Sequence, residues 1–356
     1  MANKDDPCTY QESLEKISQL RQSIYSHTMN IRDFYVDKQF KNMNSELKKL
    51  YDENKKLIKE EKYLTFPPAG CSLPFFAYGI FKPNQLAYSR IKDYVLCEPI
   101  KCSVKHALYE RDGIPFVSEK DKSHKTQGYV IYFKEDYSEL AYDIIRKTES
   151  AKFYRWETID SEYGDVNILF GRNPSRSTPS LVENESYDGR KDVFFTHAMN
   201  LISQEMKDYE YDDDFENFFK LQRNYLLLWT CIERYTSLKY GENAKTFNNH
   251  KLAQETIFKD SLKYYVKKSN EKRKIFDSQT LDDVKLDPDN PIKSIDYYYT
   301  MRSNVVHRGK SVSDIDEKKL RKSLVELLNI FQCVLKETFN DITFATVDIE
   351  VGEKEK

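Results

Sequence analysis

The stretch Met301-Arg302-Ser303-Asn304-Val305-Val306-His307-Arg308-Gly309 decides how this chain is read. An arginine precedes a histidine with four residues between them, a serine and an asparagine follow the arginine, and a glycine stands two positions past the histidine. Each helical step turns about 100°, so positions five apart share no face of a continuing helix. Gly309 offers a stop just beyond His307, which predicts a histidine in the last helical turn, able to swing toward the arginine.

Metal-free RNA cleavage asks for three things: a base for the 2′-hydroxyl, an acid for the leaving 5′-oxygen, and a cation for the charge that develops on phosphorus. Imidazole titrates near neutral pH and can serve either proton-transfer role. Guanidinium stays charged and offers phosphate oxygens a planar fork of donors. Ser303 or Asn304 could add a donor, and Glu233 could neutralise or orient Arg302. The purely structural alternative is a helix end whose terminal carbonyls are capped by these two side chains.

The R-x4-H run resembles the signature of the HEPN superfamily, small helical domains that are often metal-independent ribonucleases. Upstream, Leu227-Leu228-Trp229-Thr230-Cys231-Ile232-Glu233-Arg234-Tyr235 resembles the second helix of its Apea-like group. The resemblance implies an all-α HEPN bundle over residues 191–345 with Arg302 and His307 catalytic. It further implies a homodimer that joins two such pairs across a cleft, RNA as partner, no cofactor or metal, and a toxin or antiviral-defence role with an antitoxin or defence partner.

The pattern around the motif is helical. Residues 193–206 and 215–240 read as helices, the second with Leu221, Tyr225, Leu228, Trp229, Ile232 and Tyr235 on one stripe. Another helix is expected over 249–268, Pro288 and Pro291 flank a turn, and residues 294–306 lead into the motif. Residues 314–339 close the bundle with an inward stripe that includes Leu320, Leu324, Leu327, Phe331 and Leu335. Arg308, Lys310, Lys318, Lys319, Arg321 and Lys322 could guide a phosphate backbone or form an ordinary solvated face.

Toward the N-terminus, residues 10–62 contain neither glycine nor proline and predict two helices. Leu14, Ile17, Ile24 and Ile31 lie near heptad spacing in the first, and Phe40, Met43, Leu47, Leu50 and Leu57 form a stripe in the second. Each stripe asks for a partner: the other helix, the following domain, or a second chain. Pro67-Pro68 ends this pattern. Strands are expected over 73–81, 96–105, 114–117 and 128–133, with a short helix at 85–94.

Three segments here carry a second resemblance. Phe76-Ala77-Tyr78-Gly79-Ile80-Phe81-Lys82-Pro83, Gly113-Ile114-Pro115-Phe116-Val117 and Gln127-Gly128-Tyr129-Val130-Ile131-Tyr132 look, in that order, like motifs of the gamma-glutamylcyclotransferase-like (AIG2-like) fold. Residues 140–155 resemble its segment in which a helix ends at a glutamate and a tyrosine-arginine pair opens the next strand. The resemblance implies a small mixed β-barrel. It makes Glu149 an acid/base in releasing 5-oxoproline from a gamma-glutamyl compound, and gives the backbone of Tyr78, Gly79, Ile80 and Phe81 the task of holding a substrate carboxylate. One carboxylate with a raised pKa could deprotonate the attacking amine and then protonate the leaving one.

The expected architecture is thus multidomain α+β. It comprises a helical hairpin (1–64), the cyclotransferase-like domain (65–171), a linker (172–190), the helical domain (191–345) and a tail (346–356). The 356 residues carry a net charge of −2, which excludes nonspecific coating of nucleic acid and confines any phosphate site to a local basic pocket. No apolar run suits a membrane span and the first residues lack a signal-peptide layout, so a cytoplasmic protein with no membrane partner is expected. The six cysteines show no zinc-ligand spacing and read as reduced packing thiols. Three functions follow: the ribonuclease with a ligand-sensing or modifying domain, a cyclotransferase for gamma-glutamyl amines or peptides scaffolded by the bundle, and a non-enzymatic binding module.

Overall fold

The computed structural model describes residues 10–111, 113–149, 153–172, 178–209, 215–241, 245–267, 273–277, 281–308, 314–340, 342–344 and 347. In chain order the elements are α1 (Tyr10–Val36), α2 (Phe40–Thr65), β1 (Phe75–Ala77), β2 (Ile100–Val104), β3 (Leu108–Arg111), β4 (Ile114–Val117), β5 (Thr126–Ile131), α3 (Ser138–Thr148), β6 (Tyr154–Ser161), β7 (Gly164–Gly171) and β8 (Ser180–Leu181). There follow α4 (Met199–Lys207), α5 (Phe215–Tyr240), α6 (Lys245–Ala253), α7 (Thr256–Lys267), β9 (Lys274–Phe276), β10 (Asp283–Lys285), α8 (Pro291–Arg308) and α9 (Asp314–Thr338). Architecturally this is mixed α+β: a helical hairpin first, a mixed sheet in the middle, helices last. Two compact units result, one of Met1–Ala77, Tyr94–Ala107 and Phe116–Arg176, the other of Tyr78–Asp93, Leu108–Pro115 and Ser177–Lys356.

In the first unit, α1 and α2 pack as a hairpin, with His27 of α1 bonded through Nδ1 to Glu46 of α2. The sheet builds outward from β5, whose Val130 lies opposite both Ile100 of β2 and Phe76 of β1 in antiparallel register. β7 runs antiparallel to β6 from Gly171↔Tyr154 to Gly164↔Ser161. It also pairs in parallel with β1 at Asn167 and with β4 at Phe170. Alternation explains the burial: Thr126, Gly128 and Val130 point to one side of β5 and are buried, while Gln127 and Tyr129 are not.

The core beneath α3 is aromatic. Tyr142 is fully buried with Phe75, Phe133 and Trp156 edge-on around it. Its hydroxyl donates to the Leu73 carbonyl at 2.8 Å and accepts from Asn167 Nδ2 at 2.9 Å. Asn167, also fully buried, donates to the Gly70 carbonyl at 2.9 Å and accepts from Thr158 Oγ1 at 3.0 Å, so the polar atoms taken from water are matched. Burial pushes the Tyr142 phenol far above its ordinary range.

The second unit is organised on α5 and α9. All six stripe residues of α5, from Leu221 to Tyr235, are buried, and so are Leu320, Leu324, Leu327, Leu328, Phe331 and Leu335 of α9. Leu86, from the segment Tyr78–Asp93, belongs to the same core. The single helix expected over 249–268 is two helices. At the break between them Glu255 accepts from Tyr235 at 3.2 Å, from Tyr240, and from Lys239 at 2.9 Å.

The expected linker is only partly a linker. Its residues 173–177 lie outside the described residues, but β8 pairs with β3 at Leu181↔Tyr109. The chain just past β8 is held by the buried Lys82, which donates to the Tyr187 carbonyl at 2.6 Å and to Ser186 Oγ at 3.1 Å. Burial lowers the Lys82 pKa, an effect that Asp188 opposes. The hairpin of β9 and β10 was not expected at all. It pairs Ile275 with Val284, and Leu286 N–H closes it on the Arg273 carbonyl at 2.9 Å.

Candidate functional site

Helix α8 carries the motif. It opens with Pro291, whose missing N–H is no loss in a first turn, and Asn290 caps it by accepting from Lys293 N–H at 3.1 Å. Ile295, Tyr297, Tyr298 and Met301 anchor it in the core. Arg302 stands one turn past Tyr298 and two turns past Ile295, and its Nη2 lies 3.6 Å from Glu233 Oε1 of α5, with side-chain exposures of 22% and 26%. The guanidinium carbon lies 5.8 Å from the centre of the Tyr299 ring, which is itself edge-on to Trp229 at 5.4 Å. The arginine is therefore held from two sides, by a carboxylate and by an aromatic face, and Arg302 Nε is buried without a hydrogen-bond partner among the described residues.

The helix runs through Arg308, one residue beyond His307. On that backbone the positions of Arg302 and His307 are about 140° apart around the axis. The stop expected at Gly309 lies outside the described residues, as do the side chains of His307 and Arg308 and the whole of Lys310. Ser303 is half-buried. Asn304 is buried and donates through Nδ2 to the Phe276 carbonyl at 3.0 Å, so it ties α8 to β9.

Met301, Asn304 and Val305 turn toward a cavity of about 270 Å³. Phe218, Ile275, Phe276 and Leu320 complete its apolar wall, and Lys319 and the Lys274–Asp283 ion pair (2.6 Å) add charge. Of the basic residues singled out on α9, Lys318 is exposed, whereas Lys319 forms part of this wall. Arg321 is half-buried 5.5 Å from the Tyr209 ring, where burial lowers its pKa.

Sequence reasoning missed a second charged group beside α8. Arg273 and Glu326, exposed by 4% and 0%, form an ion pair in the helical core, and Tyr298 donates to Glu326 Oε2 at 3.1 Å. Arg273 also donates to Ser323 Oγ at 3.2 Å. Burial opposes the charge on Arg273, but Glu326 and the neighbouring tyrosines outweigh it and raise its pKa. Glu326 Oε1 is buried without a partner among the described residues. One signal was legible: Glu326 is a lone acid in the apolar run Leu324-Val325-Glu326-Leu327-Leu328.

The other expected site divides between the units. Glu149 belongs to the first and is the C-cap of α3, half-buried, with its N–H on the Ile145 carbonyl at 2.8 Å. Tyr78, Gly79, Ile80 and Phe81 belong to the second. Tyr78 and Phe81 are buried, the Gly79 carbonyl accepts from Lys82 N–H at 3.1 Å, and the Ile80 carbonyl accepts from Ala87 N–H at 3.1 Å. Among the described residues no cluster of histidine, cysteine, aspartate or glutamate has the arrangement of a metal site. The Cys102 thiol is pushed up to about 11, and that of Cys231 to about 12, chiefly by burial, which makes both poor nucleophiles.

No family model matches the chain, and no curated protein matches it. Among solved structures it is similar to an uncharacterized protein from Pyrococcus horikoshii, with 13% identity and a TM-score of 0.27, over 33% of this chain and 91% of that one. A likeness that low carries no argument about function.

Proposed function

We propose that the chain is a metal-independent endoribonuclease of the HEPN type, in which Arg302 and His307 act on a phosphodiester and the cyclotransferase-like part, a small mixed barrel, senses or modifies a gamma-glutamyl-like ligand. The observation that carries the reading is the seating of Arg302: a half-buried guanidinium held by Glu233 and Tyr299. A surface arginine needs no such cradle, whereas one that must meet a phosphate in a fixed orientation does. In the proposed reaction the 2′-oxygen attacks phosphorus as its proton passes to a base. The 5′-oxygen then leaves with a proton from an acid, giving a 2′,3′-cyclic phosphate and a 5′-hydroxyl. His307 supplies one of the two proton transfers and its symmetry mate in a homodimer the other, while Arg302 stabilises the phosphorane.

The same reading makes the protein cytoplasmic and gives it RNA and an antitoxin or defence protein as partners. The test is RNA cleavage by the purified chain in EDTA. Cleavage that disappears in His307→Ala supports the reading; cleavage that needs a divalent metal and ignores that substitution removes it.

A cyclotransferase is the second reading, favoured by one observation: α3 ends at Thr148, Glu149 caps it, and β6 opens at Tyr154-Arg155, the helix-glutamate-strand order that the resemblance implies. Release of 5-oxoproline that is lost in Glu149→Gln and kept in His307→Ala would select it. If both assays are silent over a broad substrate panel, the non-enzymatic binding module stands.

A further inference from the structure

The hairpin of β9 and β10 is braced at two points. Arg273, at its base, is tied into the helical core by Glu326 and by Ser323 Oγ at 3.2 Å, and Asn304 of α8 holds the Phe276 carbonyl at 3.0 Å. Leu286 N–H bonds the Arg273 carbonyl and Asp277 N–H the Asp282 carbonyl, which sets the bonding register. Ile275 therefore exchanges its bonds with Val284, while the backbone groups of Lys274 and Phe276 turn away from β10. The Asn304 bond shows that this outer edge of β9 faces α8.

Beside that edge lies the cavity of about 270 Å³, with α5 and α9 supplying the rest of its wall. Packed interiors leave few gaps larger than a water molecule, and this one equals the volume of roughly nine. It is too large for a packing defect and small for a drug-sized ligand. Phe218, Ile275, Met301, Val305 and Leu320 make most of the wall apolar. Such a wall offers water few hydrogen bonds, so the space suits an apolar body.

Charge narrows the choice. Three charged side chains line the cavity, and two of them, Lys274 and Asp283, neutralise each other at 2.6 Å. The third, Lys319 of α9, is half-buried and forms no ion pair with any described residue. Gln222 of α5 is half-buried too, and its amide has no hydrogen-bond partner among the described residues. One uncompensated cation and one neutral donor thus stand beside an apolar wall. A carboxylate answers both, because its two oxygens can accept from an ammonium and an amide N–H together. A phosphate dianion would keep a surplus charge against the apolar side chains, an amine would meet Lys319 as a like charge, and a neutral ligand would cover Lys319 unpaired.

We infer that the cavity between the β9–β10 hairpin and α8 is a binding site for a small organic acid of roughly ten non-hydrogen atoms, an apolar body bearing one carboxylate. Lys319 and Gln222 hold the carboxylate, and the body lies against Phe218, Met301 and Leu320. Arg302 does not line this cavity, so binding here does not depend on RNA cleavage.

The experiment titrates the full chain, without RNA, by isothermal titration calorimetry with phenylpropanoate, its neutral amide and phenyl phosphate. Phenylpropanoate should bind at least tenfold more tightly than the amide, as a charge-assisted hydrogen bond requires, and more tightly than phenyl phosphate. Lys319→Met should weaken the acid at least tenfold and bring it level with the amide, whereas Lys318→Met, at the exposed neighbouring position, should leave it unchanged. Val305→Phe, which narrows the cavity, should weaken acid and amide alike, with circular dichroism confirming the helix content of each variant. Equal binding of acid and amide, acid binding indifferent to Lys319→Met or to Val305→Phe, tighter binding of phenyl phosphate, or no binding of any probe at millimolar concentration overturns the inference.

Discussion

Arg302 shows what a motif can and cannot convey. Its spacing to His307 was readable as pattern, and Glu233, singled out as its neighbour, does lie 3.6 Å from it. Tyr299, which lies under the guanidinium, was not readable, since an aromatic in an aromatic-rich helix gives no sign of which face it turns to a neighbour. If Glu233 orients the arginine, Glu233→Gln lowers the rate of EDTA-resistant RNA cleavage about tenfold with the Tm little changed, as loss of one ionic contact in the transition state requires. The same change leaving the rate intact would show that Glu233 is only a neighbour.

The Arg273–Glu326 pair makes an opposite prediction, about stability. Glu326→Ala leaves a guanidinium uncompensated in the core, which costs about 3–5 kcal/mol and lowers the Tm of the second unit, whereas Arg273→Met with Glu326→Leu recovers most of that loss. Thermal unfolding of the three proteins checks it. His106 provides the pH test. It is buried, its Nδ1–H donates to the Ser118 carbonyl at 3.0 Å, and its ring lies 4.9 Å from that of Phe170. Desolvation holds its pKa below the ordinary 6.5. Below pH 6.5 the unfolded chain then binds the proton before the folded one does, so His106 contributes stability that is lost as pH falls through the folded pKa. The fall in Tm between pH 7 and pH 5 should be smaller in His106→Gln than in the unmodified chain.

At the scale of elements, the long periodic segments were legible to within a few residues. The reading of 215–240 coincides with α5, and that of 314–339 differs from α9 by one residue. What failed was what local pattern does not carry. At the break between α6 and α7 Glu255 bonds tyrosines from α5, a tertiary contact that local pattern does not announce, and the β9–β10 hairpin is too short to show an alternation. Gly128 was legible as part of a strand, but its reason is tertiary: a Cβ there would lie 2.5 Å from the Ala77 carbonyl and 2.6 Å from the Phe76 ring. Gly128→Ala should therefore cost about 1–3 kcal/mol by forcing β1 and β5 apart, measured by urea unfolding; a neutral change would mean that the strands give way freely.

At the scale of the whole molecule, the expectation of contiguous domains meets a discontinuous division. Periodicity reports that a residue is buried and is silent about its partner, so Tyr78–Asp93 was assigned by its place in the chain. Yet Leu86 packs in the core with α5 and α9, and Lys82 is bonded to Tyr187. A fragment of residues 178–356, which lacks both inserted segments, should melt at a lower temperature and less cooperatively than the second unit does in the full chain. A fragment of equal Tm would show those segments to be dispensable. No described helix is long and apolar enough to cross a membrane.

The most direct test of the central claim is the chemistry of the cut ends. Incubated in EDTA with single-stranded RNA, the chain should leave 2′,3′-cyclic phosphates and 5′-hydroxyls and spare a substrate that carries a 2′-deoxy sugar at the scissile position, and it should leave no such products after Arg302→Ala or His307→Ala. Products bearing 5′-phosphates, or cyclic phosphates formed equally by both variants, would contradict it.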